Sequence, residues 1–245
     1  MRRNDWPLEQ RKLSCTAAMG RFPNASESTG PQSVNSCQMR IRSPGDSVFI
    51  NCPFDPDYEP LLRVLLFSVI RCGLHPRIAR ERLESAEPRI SKLMELIQES
   101  RWGIHDLSRI KAKKKGEFYR MNMPFELGVD IGAKLFSKDH EEKKVLIIAE
   151  EPLHHQIGLS DLSNSDIRYH KSEAETLAHE VRNWFRESGL KSVPPGSGVW
   201  ADFNAFMSDF EIKREAEGYK DADIRNMPVP EFIDFIHLWV DEHCA

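Results

Sequence analysis

Residues 48–62 read VFINCPFDPDYEPLL, and this stretch decides the fold. It opens as a short apolar run without helical period, the pattern of a strand buried on both faces. It then breaks into Asn51, Cys52, Pro53, Phe54, Asp55, Pro56, Asp57 and Tyr58 before an apolar helix begins. A strand, a polar turn and a helix in immediate succession are the start of a βαβ unit.

The same alternation continues outward. A first helix is expected over residues 57–72, with Leu61, Leu62, Leu65, Leu66, Val69 and Ile70 on its apolar face and Gly73 at its end. LHPRIAR (74–80) reads as a weak second strand. A helix over 87–100 follows, with Ile90, Leu93, Met94 and Ile97 as its stripe and Pro88 in its first turn. WGIHDLS (102–108) is the third strand. A helix from about Met123 to Phe136 carries Gly128, Gly132 and Ala133, a small-residue stripe that predicts close packing on the sheet. KKVLIIAEE (143–151) and DIRYH (166–170) are the fourth and fifth strands, and a helix is expected over 173–187. Alternating strands and helices imply right-handed crossovers and a parallel sheet covered on both faces. The fold class is therefore α/β, a flavodoxin-like three-layer sheet of about five strands over residues 47–190. Residues 1–46, rich in Ser, Asn, Gly and Pro, are expected to be a disordered arm. Residues 191–245 read as a helical extension on the core, with Trp200, Phe203, Met207 and Phe210 in one stripe and Phe232, Phe235, Ile236 and Trp239 in another.

Bulk properties exclude several classes. A net charge of −4 gives no global argument for nucleic-acid or membrane binding. No apolar run approaches the roughly 20 residues of a membrane helix, and the first residues lack the apolar core of a signal peptide. Five cysteines, odd in number and without C-x-x-C spacing, read as reduced thiols, so a cytoplasmic location is expected. Neither G-x-G-x-x-G nor a P-loop motif occurs. His154-His155 has no partner at metal-ligand spacing, so no metal is expected.

Open α/β sheets bind ligands outside the carboxyl ends of their strands. The sequence puts Asn51, Asp55 and Tyr58 after the first strand, Arg77, Arg80 and Glu81 after the second, His105, Asp106 and Ser108 after the third, and Asn122 and Glu126 at the helix that follows. In NMPFELGVDIGAK (122–134), Asn122 can cap the helix, and Glu126 lies in its first turn on the same face as Asp130. Glu126 is either a helix-start residue favoured by the dipole or a carboxylate in a half-apolar cleft, able to act as nucleophile or to stabilise an oxocarbenium ion. Asp106 is either a loop-fixing residue or a ligand of ribose hydroxyls. Arg77, Arg80 and Arg89 are phosphate binders or surface ion-pair partners. The run 109–120 has six basic residues against Glu117; it is a solvated loop or a flap over an anionic ligand.

The segments VFINCPFD, RWGIHDLSR and FYRMNMPFELGVDIGAK resemble a bacterial family of TIR-like proteins of unassigned function. More distantly they are similar to the nucleoside 2-deoxyribosyltransferase superfamily, where a strand-end Asp is followed by a later E-L-G, here Asp106 and Glu126-Leu127-Gly128. The resemblance spans about residues 47–150. The chain departs from the deoxyribosyltransferase pattern in its basic insert and its helical tail. The resemblance implies cleavage or transfer of an N-glycosidic bond of a nucleoside, a nucleotide or NAD, in the setting of bacterial stress or antiphage defence. It implies catalytic Glu126 and Asp106, a pocket shaped by Asn51, Asp55, Tyr58, Arg77, Ser108 and Asn122, no cofactor beyond NAD or a nucleotide as substrate, and a small-molecule partner with a homo-oligomer as a further option. The rival expectations are a nucleotide-signal sensor using the same cleft and a TIR-like module that works by assembly.

Overall fold

The computed structural model describes residues 44–244 except 82, 83, 85, 111–120, 153–158, 163 and 164. The expected arm through residue 43, most of the basic run and His154-His155 lie outside the described residues. Five parallel strands, β1 (Ser47–Asn51), β2 (His75–Ile78), β3 (Trp102–Asp106), β4 (Lys144–Ala149) and β5 (Arg168–Tyr169), form one sheet in the order β2-β1-β3-β4-β5. That order is compatible with a flavodoxin-like sheet, whose switch point falls between β1 and β3. Among the described residues seven helices accompany it: α1 (Glu59–Arg71), α2 (Arg89–Gln98), α3 (Asn122–Phe136), α4 (Ala174–Glu187), α5 (Gly196–Ala216), α6 (Asp221–Arg225) and α7 (Val229–His243). None of the described helices is long and apolar enough to cross a membrane.

β1 is buried along its whole length, as its unbroken apolar run requires. A short 3-10 turn, Pro56–Tyr58, leads into α1, and the turn closes through Tyr58 N–H donating to Asp55 O at 2.9 Å. α1 ends where Gly73 adopts φ +82°, a left-handed conformation that costs glycine little.

α1 is apolar beyond a single stripe because it is covered twice. Val64, Phe67 and Ser68 are buried along with the expected leucines. Phe67 sits 5.4 Å from Phe206, 5.5 Å from Phe203 and 5.9 Å from Trp239 between ring centroids, so α5 and α7 form a layer outside α1. One hydrophobic cluster runs from the sheet through α1 and α4 into these tail helices. A smaller cluster of Phe49, Leu93, Leu96 and Ile97 seats α2 on the opposite face of the sheet. A third, with Leu107, Met123, Leu127 and Ile147, seats α3.

Two expected helix faces are corrected. In α2 the buried residues are Leu93, Leu96 and Ile97, while Ile90 and Met94 are exposed. Pro88 is the residue before the helix, not part of its first turn. In α3 the buried residues are Met123, Glu126, Leu127 and Asp130, and the glycines do not face the sheet. A Cβ on Gly128 or Gly132 would meet nothing within 4 Å. The close approach is made from the strand side instead. A Cβ on Gly103 of β3 would lie 2.1 Å from Asp130 Oδ2, so the sheet leaves out a side chain for α3's buried carboxylate. Small residues on a helix signal close packing only when they point inward, and the hydrophobic positions 123 and 127 outweigh them here.

Candidate functional site

The polar turn after β1 turns out to be largely internal fastening. Tyr58, fully buried, donates its hydroxyl to Asp106 Oδ2. Asp106 closes β3, with no exposed surface. Its Oδ1 receives Ser108 N–H at 2.7 Å and the Ser108 hydroxyl. Its Oδ2 also meets His170 Nε2 at 3.1 Å. Ser172 N–H donates to His170 Nδ1 at 3.1 Å, so the neutral ring carries its proton on Nε2 and donates it to Asp106. Burial alone would raise the Asp106 pKa. The hydrogen bonds from His170, Ser108 and Tyr58 overcome it and hold the carboxyl below its ordinary value.

Those bonds raise the cost of reaching the phenol's ionised form. Burial and the neighbouring Asp106 charge push the Tyr58 hydroxyl well above its usual pKa. Burial does the same to the Cys52 thiol, followed by the charge of Asp106. Neither group is a ready nucleophile.

A second buried network lies under α3. Asn51 Nδ2 donates to Met123 O at 2.9 Å and to His105 Nδ1 at 3.0 Å. His105 then carries its proton on Nε2 and donates it to Asp130 Oδ2 at 2.8 Å. Lys143 Nζ pairs with Asp130 Oδ1 at 3.0 Å. The same ammonium donates to Ile97 O at 2.8 Å and to Ser100 O, so a cation satisfies carbonyls at the end of α2. Burial pushes the Asp130 pKa up, but the His105 hydrogen bond and the Lys143 charge bring it below the ordinary carboxylate value. The Lys143 pKa is lowered, because burial costs its charge more than Asp130 returns.

Glu126 stands against both networks. α3 begins at Asn122 after Met121, and no side chain caps it. Asn122 is therefore the first helical residue and exposed, not the cap, and Glu126 lies one residue further in than expected, past the first turn. A dipole role is correspondingly weak, since the effect fades beyond the first turn. Glu126 is only 5% exposed, and among the described residues its partner is Arg89 Nη2, 3.3 Å from Oε1. That Arg89 side chain is itself 60% exposed. Burial raises the Glu126 pKa, while the Arg89 guanidinium pulls it partly back.

The remaining expected residues scatter. Asp55 Oδ2 lies 3.4 Å from Arg109 Nε, and Arg109 Nη1 lies 3.4 Å from Glu150 Oε2, a bridge from the β1 turn to the end of β4. Asp55 also borders a groove of about 730 Å³, with Phe54, Arg80, Phe203 and Met207 among its walls. Arg80 lies over the Phe54 ring at 4.3 Å and donates to Phe54 O at 3.2 Å. Arg77 is spent on two carboxylates, Glu81 at 2.8 Å and Glu99 at 2.8 Å, which fills its fork with protein partners.

Sequence reasoning missed His170 and Lys143. His170 follows β5, and the carboxyl-edge rule applied to the last strand would have found it. Lys143 precedes β4, at the opposite edge, and reaches inward on its long stem; nothing in its spacing marks it. No family model, curated protein or solved structure matches this chain.

Proposed function

We propose that this protein cleaves or transfers an N-glycosidic bond of a nucleoside, a nucleotide or NAD, with Glu126 as the catalytic carboxylate. The observation that carries the proposal is the state of Glu126: buried, with a raised pKa, beside the strand ends, and among the described residues paired only with an exposed arginine at 3.3 Å. A carboxylate kept from water yet left largely without protein donors is poised to interact with a developing cation. In the reaction the C1′–N bond breaks and its electron pair leaves with the base. The Glu126 carboxylate stabilises or captures the positive C1′. Water or a second base then attacks C1′ and loses a proton; a departing purine or pyrimidine takes one up, whereas nicotinamide leaves NAD as a neutral base and the proton goes to solvent.

In this reading Asp106 is a positioning residue. It holds Tyr58, Ser108 and His170 at the edge of the sheet, and with its lone pairs taken by these groups it acts on substrate through them. The TIR-like and deoxyribosyltransferase-like resemblance of residues 47–150 supports the same chemistry, as does the flavodoxin-like strand order. Defence against phage or stress is the setting the resemblance suggests.

The test is base release. The protein is incubated with NAD and with deoxynucleosides, and free nicotinamide or nucleobase is measured. Glu126→Gln keeps the size and removes the charge. Its turnover is expected to fall at least about a hundredfold, near 2.7 kcal/mol of transition-state stabilisation. A folded Glu126→Gln protein with undiminished turnover removes Glu126 from catalysis. Tight nucleotide binding by the wild type without base release would make the cleft a sensor.

A further inference from the structure

Asn51 closes β1, only 2% exposed, and its amide has one orientation that chemistry allows. Met123 O can only accept, so the group 2.9 Å from it must be the amide nitrogen. The second amide hydrogen goes to His105 Nδ1, which is free to accept because the Nε2 proton is committed to Asp130. Both donors of Asn51 are therefore used, and the Lys143–Asp130–His105 chain fixes which way the side chain faces. The oxygen is left over. Asn51 Oδ1 is buried and has no hydrogen-bond partner among the described residues. A buried acceptor left in that state is destabilising. Asp130 Oδ1 also lacks a hydrogen bond but has the Lys143 ammonium 3.0 Å away, so Asn51 Oδ1 is the atom of this network left without a polar partner among the described residues.

Its position says what would fill it. Asn51 is bonded to Met123, three residues before Glu126 on α3, and to His105, which is itself bonded to Asp130, four residues after Glu126. Met123 and Glu126 are separated by about 4.5 Å along the helix axis, which is the scale of one small ring. If Glu126 works at C1′, the ring within reach is the sugar, and the only donors on a sugar are hydroxyls. A phosphate ionised at neutral pH offers an acceptor no donor and would be repelled there.

We infer that Asn51 determines substrate specificity at the Glu126 site, its Oδ1 accepting a hydrogen bond from a sugar hydroxyl of the substrate. The inference rests on the N-glycoside reading and adds the polarity and the kind of group that must meet β1. It follows that one hydroxyl of the reacting sugar is read by the protein and the others are not read at this point.

The test uses Glu126→Gln as a variant that binds without turning over. Calorimetry measures its affinity for the four ribonucleosides and nicotinamide riboside, and for the 2′-, 3′- and 5′-deoxy form of each that binds. Removing one particular hydroxyl is expected to weaken binding by about 10- to 100-fold, with the other two deletions near neutral. Adding Asn51→Ala should weaken the parent nucleoside and abolish that discrimination. Asn51→Ala also loses the bonds to Met123 and His105, so a second readout uses intact side chains. With ¹³C-labelled asparagine, the Asn51 carboxamide carbon should shift on binding the parent and not on binding the discriminated deoxy form. Three flat deletions, a discrimination unchanged by Asn51→Ala, or a carbon signal that ignores the hydroxyl each overturn the inference while leaving the N-glycoside reading standing. Failure of every ribonucleoside to bind overturns the inference, and the N-glycoside reading is then decided separately by base release from NAD and deoxynucleosides.

Discussion

Asp106 and Glu126 are two buried carboxylates beside the same strand ends, and the protein treats them in opposite ways. Asp106 receives hydrogen bonds from Tyr58, from the Ser108 backbone and hydroxyl, and from His170, and its pKa is held down. Among the described residues Glu126 meets one exposed arginine at 3.3 Å, and its pKa is pushed up by burial. Burial is therefore not what separates a scaffold carboxylate from a reactive one. The number of donors supplied by the fold separates them. A carboxylate whose lone pairs are filled stabilises the protein. One that is desolvated and underfilled costs stability and keeps capacity for a ligand.

The largest test of this contrast is a pair of isosteric amides. Asp106→Asn places two amide hydrogens against groups that already donate, and should cost roughly 3 kcal/mol in urea unfolding. Glu126→Gln removes a desolvated charge with little lost in exchange, and should be neutral or gain on the order of 0.5–1 kcal/mol. Equal penalties for the two would break the comparison.

The same two variants sharpen it through pH. Asp106 has a depressed folded pKa, so its stabilisation is present above the unfolded value of about 3.9 and is lost as pH falls through the folded value. Glu126 has a raised folded pKa, so its cost appears as pH rises from about 4.3 through the folded value and is constant beyond it. Against wild type, the Asp106→Asn penalty should therefore shrink in acid, and the Glu126→Gln gain should also fade there. At pH 7 the two differences should have opposite signs. A Glu126→Gln difference that does not change with pH would mean Glu126 carries no net burial cost.

The smallest expected effect lies outside both carboxylates and tests whether α3 is anchored only by its inward face. Gly128→Ala adds a methyl to open space in a helix interior, and should stabilise by about 0.5–1 kcal/mol. A loss in melting temperature would mean that this face of α3 is not free.

The alternation of strands and helices was legible from the chain because it follows from local pattern. Short apolar runs, VFI, WGI and VLIIA, mark three of the strands, and the tail's aromatic stripes already implied a buried helical layer. The carboxyl-edge rule also brought Asn51, Asp106 and Glu126 forward as one group. What the chain alone could not decide is which of these polar residues would be satisfied from elsewhere. Asp106 is closed by His170, 64 positions away, and Asn51 is oriented by Met123, 72 positions away. Gly103 was needed by Asp130, and Gly128 by nothing within reach, although both look alike as letters. Sequence period fixes which face of an element is apolar. A hydrogen bond between distant segments depends on sheet order and on a few ångströms of approach, so only the assembled fold decides whether a buried carboxylate is filled or left open.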